Sequence, residues 1–181
     1  MILLFDTETN GRYDEGASPT SDNQPNIWQL AAILLDKKFR IKSSMNFLIK
    51  PEGWVISEEL SKFHGITQET AEKYGLPIKV VLNIFLRLAI MSTTYCYHGV
   101  DFDYNMINRE CLVTGLPNYL DSMREFNTMK IATDIIKLPH KNGRGGFKWP
   151  SLTEMHMHFF DKPFDKTHDA MADTKALHRC F

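Results

Sequence analysis

Ile2-Leu3-Leu4-Phe5-Asp6-Thr7-Glu8-Thr9 is the stretch around which the chain is organised. Its first four residues form a short apolar run that reads as a buried strand. Two acids then follow at alternate positions. On an extended strand residues i and i+2 share a face, so Asp6 and Glu8 project side by side from the strand end. Carboxylates held that close raise each other's pKa unless a cation lies between them, and a divalent metal with oxygen ligands is the natural resolution. A strand that ends in a polar turn with two solvated acids fits this stretch equally well.

The chain has 181 residues, enough for one domain with a full core, and a single domain over 1–181 is expected. Apolar residues at 43% and charged residues at 24% are those of a folded globular protein and exclude disorder. A net charge of -1 neither advertises nor excludes nucleic acid, because acids gathered at a metal would mask basic residues elsewhere. Cys96, Cys111 and Cys180 lack metal-ligand spacing and are odd in number, which points to free thiols in a reducing compartment. With no basic, long-apolar leader and no run able to span a bilayer, the expected location is cytoplasmic, or the host cytoplasm for a phage-encoded chain.

Residues 9–26 are polar, without periodicity, and read as a long loop. They are either a rim for whatever binds beside Asp6 and Glu8 or a solvated insertion. Ile27 to Leu35 reads as a central strand and residues 39–49 as its hairpin partner. Ser57 and Thr67 cap two short helices, and Pro77 opens a longer amphipathic one through Leu88. A strand over 93–97 precedes a helix from Phe102 to Thr114 that stops at Gly115. Helices over 129–138, from Ser151 to Phe160, and from Asp169 to the chain end complete the pattern. Interleaved strands and helices argue for an α/β layered domain around a mixed sheet.

Two further constellations carry chemistry. In His98-Gly99-Val100-Asp101-Phe102-Asp103, Asp101 is placed as the helix N-cap and Asp103, one step inside, is left for a site. In His168-Asp169-Ala170-Met171-Ala172-Asp173, a regular helix would set His168 and Asp173 about 140° apart. With Asp169 as N-cap, however, His168 turns back over the first turn and converges on Asp173. A surface histidine followed by a dipole-favoured acid is the plainer alternative.

Phe5-Asp6-Thr7-Glu8-Thr9, Phe102-Asp103 and His168 with Asp173, in that order, resemble the DnaQ-like 3′–5′ exonucleases of the DEDDh branch. That family includes RNase T, oligoribonuclease and the proofreading (epsilon) subunit of DNA polymerase III. His64-Gly65-Ile66-Thr67 resembles the family's turn ahead of a helix, and Lys148-Trp149-Pro150-Ser151-Leu152 resembles bacterial and phage members. The chain departs where members often have Asn (Gly99) and Glu (Gln29), and it shows no tail of the kind that binds a polymerase.

The resemblance implies a ribonuclease H-like α/β fold with a mixed five-stranded sheet flanked by helices. It implies that Asp6, Glu8, Asp103 and Asp173 hold two divalent cations, Mg²⁺ or Mn²⁺, which activate the attacking water and stabilise the leaving 3′-oxygen. His168 is then the general base, a role suited to imidazoles, which ordinarily titrate near about 6.5. Thr7, Thr9, His64 and Phe102 are the expected substrate contacts, with Tyr13 a further stacking candidate. The expected partner is a single-stranded DNA 3′ end, with RNA as the alternative substrate and an idle nucleic-acid-binding scaffold as the alternative function. A polymerase or repair complex is the expected protein partner. Lys141, Arg144 and Lys148 either track phosphates or form a solvated turn. His156 and His158, at i and i+2 of a helix, face different directions and are not expected to share a metal.

Overall fold

The computed structural model describes every residue except Lys166, with only the backbone described at Phe63. Five strands, β1 (Ile2–Thr9), β2 (Ile27–Leu35), β3 (Ile41–Leu48), β4 (Thr94–Tyr97) and β5 (Arg124–Asn127), form one sheet in the order β3-β2-β1-β4-β5. The pairs β1–β2 and β2–β3 are antiparallel, whereas β1–β4 and β4–β5 are parallel. The sheet is therefore mixed, and β1 is its middle strand. β2, expected to be central, lies one place over, although all nine of its residues are buried.

Among the described residues seven α-helices cover the sheet: α1 (Glu58–His64), α2 (Gln68–Tyr74), α3 (Ile78–Ile90), α4 (Phe102–Thr114), α5 (Thr128–Ile136), α6 (Leu152–Phe160) and α7 (Ala170–Cys180). Alternation along β1 divides the core. Leu3 and Phe5 pack with Val81, Phe85, Met106 and Ile107 of α3 and α4, whereas Leu4 packs with Met155 of α6 and Leu177 of α7. This is the three-layer ribonuclease H-like arrangement. Among the described residues no helix is long and apolar enough to cross a membrane.

Local chemistry accounts for the helix starts. Ser57, Thr67 and Asp169 accept hydrogen bonds from Leu60, Thr70 and Ala172 backbone N–H groups. Ser151 and Glu154 form a reciprocal capping box. Gly65 ends α1 in the left-handed region at φ 79°. Asp101 is the exception. It occupies the N-cap position of α4 at φ 56°, makes no capping hydrogen bond, and instead accepts from Tyr97 Oη at 2.7 Å and Lys130 Nζ at 3.0 Å. Those partners also hold its carboxyl below the usual range, the Tyr97 hydrogen bond being the largest cause.

β5 has no counterpart in the sequence reading. Its residues Arg-Glu-Phe-Asn do not alternate, and an edge strand with charged positions carries little apolar signal. The 9–26 loop is not simply solvated either. Gln24, 2% exposed, donates to the carbonyls of Asp14 (2.8 Å) and Ser18 (3.3 Å) and accepts from Asp14 N–H. At its neck Asn10 and Asn26 exchange two hydrogen bonds.

Gly75 marks a close approach of α2 to the end of β3. A Cβ there would lie 2.3 Å from the Ala71 carbonyl oxygen and 2.6 Å from Lys50 N, neither of which can yield as a flexible side chain could. Gly75→Ala is therefore expected to destabilise the fold by about 2 kcal/mol or more in urea unfolding. A change within about 0.5 kcal/mol, normal for surface positions, would refute this packing.

Candidate active site

Asp6 and Glu8 leave the same face of β1 just before a register shift at Glu8/Thr9. Thr7, between them, points to the opposite face and ties α4 to the strand. Its N–H and its hydroxyl both donate to Asp103 Oδ1, at 2.9 and 2.7 Å. Asp103, in the first turn of α4, is 4% exposed.

Asp173 enters from the first turn of α7. The His168 N–H donates to its Oδ2 at 3.0 Å, and His168 has the left-handed backbone (φ 68°) that lets the chain fold back over the helix start. Gln29 of β2 secures α7. Its Oε1 accepts from Ala170 N–H, and its Nε2 donates to Asp169 Oδ2 and Asn46 Oδ1.

An open pocket of about 330 Å³ is lined by Asp6, Glu8, Asp103, Asp173 and His168, with Phe102 on its wall. One oxygen each from Asp6, Glu8 and Asp173 lies within 4.8 Å of the others. No lysine or arginine among the described residues lines this pocket.

The consequence is electrostatic. Burial, then repulsion from Asp103, Asp173 and Glu8, drives the Asp6 carboxyl well above its ordinary range. Burial, followed by Asp173 and Asp103, pushes Glu8 up to about 8. Asp173 rises to about 7, again chiefly through burial, and shares a hydrogen bond with Glu8. Asp103 is raised by burial to about 6 even though both Thr7 hydrogen bonds favour its charged form. Four acids so placed are poised to gain from a cation, and all offer the hard oxygen donors that Mg²⁺ and Mn²⁺ prefer. The donor set thus fits divalent metal.

A model of the RNase T family, described as exonuclease, matches residues 3–181. The chain belongs to this exonuclease family. Its fold is similar to that of the nuclease domain of 3′hExo, described as a DEDDh family member bound to rAMP (19% identity, TM-score 0.71, covering 99% of this chain and 88% of that one). It is also similar to E. coli Exonuclease I in complex with a dT13 oligonucleotide (18% identity, TM-score 0.71, 98% of this chain). The zinc-bound form of the Exonuclease I–ssDNA complex gives 20% identity and a TM-score of 0.73. The chain spans only 39% of the Exonuclease I chain. No curated protein matches the sequence.

In this exonuclease-family chain the residues expected to contact substrate divide. Thr7 and Phe102 line the pocket, although the Thr7 hydroxyl is committed to Asp103. Thr9 and His64 do not line it. Thr9, beyond the register shift, donates to the Gly11 carbonyl at 2.8 Å. The His64 ring stacks on Trp28 at 3.9 Å and its Nδ1 accepts from Ile66 N–H. Burial, and then His168 nearby, lowers its pKa.

The 9–26 loop contributes nothing to the pocket wall, and Tyr13 packs on the core instead. Lys141 and Arg144 are exposed and absent from the wall, while Lys148 pairs with Glu154. His158 is exposed. His156 is not the core-edge residue expected, because its ring is fully buried with Nδ1 2.7 Å from the Lys162 carbonyl.

Missed as wall residues in sequence reasoning were Gly99, Met129, Ser151, Leu152, Thr153, Phe164 and Thr167. His98 was also left without a role. Its Nε2–H donates to the Pro150 carbonyl at 3.0 Å and its Nδ1 lies 2.9 Å from the Thr128 hydroxyl, which fastens the start of α6 to the end of β4. Only its adjacency to the Phe102-Asp103 motif could have signalled it.

The raised carboxyls make stability pH-dependent with a definite sign. Between the ordinary value of 4.5 and about 8, folded Glu8 keeps a proton that the unfolded chain has released. Metal-free stability therefore falls as pH rises through that window and levels off above it. Glu8→Gln removes the ionisation penalty. In EDTA it should be more stable than the parent by about 1–3 kcal/mol at pH 9, with the gap closing by pH 5. Denaturation curves at the two pH values test this, and a pH-independent gap would contradict it.

Proposed function

We propose that residues 1–181 act as a single domain, a metal-dependent 3′–5′ exonuclease that releases nucleoside 5′-monophosphates from single-stranded DNA. The observation that carries this reading is the convergence of four acids, from β1, α4 and α7, with His168 in one open pocket. Asp6, Glu8, Asp103 and Asp173 would hold two divalent cations, Mg²⁺ or Mn²⁺. Once bound, these ions neutralise the acids and stabilise negative charge on the scissile phosphate.

The chain's own residues do the rest. His168, exposed at the pocket and tied to Asp173 through its backbone N–H, takes the proton of the attacking water. The water oxygen bonds to phosphorus, the bond from phosphorus to the 3′-oxygen breaks, and that oxygen takes a proton from solvent to become the hydroxyl of the shortened strand. Phe102 offers an aromatic wall to the terminal base, a contact that tolerates any sequence. Thr7 orients Asp103 rather than touching substrate. Such an activity suits proofreading or repair, alone or alongside a polymerase.

Matched 5′-labelled DNA and RNA oligonucleotides, incubated with Mg²⁺, Mn²⁺ or EDTA, test the reading. DNA should be shortened from the 3′ end into a ladder of label-retaining products with release of 5′-monophosphates, and chelation should stop the reaction. Loss of the label first, or digestion in EDTA, would refute the proposal, and faster RNA digestion would move the substrate to RNA.

Asp103→Ala should lower turnover by at least about 10³-fold, whereas Asp101→Ala should keep turnover and lose about 1 kcal/mol of stability with its Tyr97 and Lys130 contacts. His168→Ala should lose about 10²–10⁴-fold in turnover while binding oligonucleotide and Mn²⁺ as the parent does. Parent-like rates for His168→Ala would remove it as the base.

A further inference from the structure

A separate pocket, of about 310 Å³, opens where β4, β5 and the first turn of α4 meet the loop that follows β1. Its size is that of small-molecule sites, which begin at about 300 Å³. It shares no residue with the carboxylate pocket, and its side chains have no part in the chemistry above.

The lining carries three acids, Glu15, Asp101 and Glu125, and among the described residues no lysine or arginine. Lys130 stands beside it, donating to Asp101 at 3.0 Å and lying 3.6 Å from Glu125. One cation thus faces three acids. The Tyr97 hydroxyl lies 2.7 Å from Asp101 and 2.8 Å from Glu125 but has a single proton to give. With that proton on Asp101, Glu125 is left short of donors.

The other walls are aromatic. Tyr95 is stacked between Tyr97 and Tyr104, with ring centroids 6.0 and 6.1 Å away and interplanar angles of 10° and 19°. Tyr97 and Tyr104 spend their hydroxyls on acids, Tyr104 on Asp121 at 2.7 Å. Tyr95 does not. It is only 6% exposed and lines this pocket, yet its hydroxyl has no hydrogen-bond partner among the described residues and is not sealed off by them. Glu125 sits opposite it in the β4–β5 pairing. Burial, then the negative charge of Glu125, raises the Tyr95 pKa, so the group stays a neutral phenol with lone pairs to offer.

These features select a ligand. Excess negative charge and an unused phenol oxygen call for a cation rich in N–H donors. A bare metal ion does not fit, because among the described residues these three acids do not bring one oxygen each within 4.8 Å of one another. An ammonium concentrates its charge at one point, and Lys130 already provides one at these acids. A guanidinium spreads its charge over a plane, carries five donors for separated acceptors, and stacks on aromatic faces.

We propose that this pocket binds a guanidinium group, laid against the tyrosine stack and donating to Glu125 and to the Tyr95 hydroxyl, with Glu15 adding negative charge from the exposed loop. The group could belong to an arginine side chain of a partner protein or to a free small molecule, since the chemistry is the same. The inference does not depend on the chain cleaving nucleic acid.

Calorimetric titration of the whole chain with butylguanidinium and with butylammonium provides the test. Mg²⁺ is present to compete for the carboxylate cluster, and two variants locate the binding. Butylguanidinium should bind at least fivefold tighter than butylammonium. Tyr95→Phe deletes only a hydroxyl without a partner, so the fold is kept, and it should weaken butylguanidinium about fivefold, the worth of one hydrogen bond. Glu125→Gln should weaken it at least tenfold. Equal affinities for the two cations, absence of saturable binding, or parent-like binding by either variant would overturn the proposal. N-acetylarginine methylamide, whose guanidinium carries a peptide backbone, separates the sources. Binding equal to that of butylguanidinium would assign the site to an arginine side chain, and exclusion of this probe alone would assign it to a free small molecule.

Discussion

The contact on which the carboxylate cluster rests is the pair of hydrogen bonds from Thr7 to one oxygen of Asp103. Strand alternation sends Asp6 and Glu8 to one face of β1 and Thr7 to the other, so the residue between the two acids is free to hold a third. The first turn of α4 is thereby pinned to the middle strand at the point where the acids emerge. Because Thr7 supplies both a main-chain and a side-chain donor, Oδ1 of Asp103 is held from two directions. A fourth acid arrives separately, on α7, whose start is held by Gln29 and whose Asp173 is held by the His168 amide.

The same placement carries an electrostatic penalty. Burial alone would raise each carboxyl, and mutual repulsion adds to it at Asp6 and Glu8. Gln29 bears on this balance. Its amide makes both a donor and an acceptor contact to the α7 start, which a carboxylate at that position could not do without a proton. A glutamate there would also add one more negative charge beside Asp169. The neutral residue thus gives a firmer anchor and a less crowded field.

How much of this was legible in the sequence depends on how local the determining interaction is. The acids at i and i+2, the caps at Ser57, Thr67, Ser151 and Asp169, and the terminating Gly65 and Gly115 are set by near neighbours, and each has the placement expected of it. Asp101 misled because capping propensity is a local rule, and its actual partners, Tyr97 and Lys130, are brought together by tertiary packing. β5 escaped notice because its register comes from pairing with β4 rather than from its own polar residues. His64 reads as a ligand-facing ring until the structure seats it on Trp28. The order of three weak motifs was informative about the site where each motif by itself was not.

The excursion between β1 and β2 is closed by the Gln24 amide and the Asn10–Asn26 exchange rather than by continued strand pairing. Such a clasp isolates the loop mechanically from the sheet. Residues added or removed at its exposed tip, around Glu15 and Gly16, would change its contour without transmitting a shift in register to Asp6 and Glu8. The chain therefore holds, immediately beside its most constrained residues, a segment whose length is free to vary.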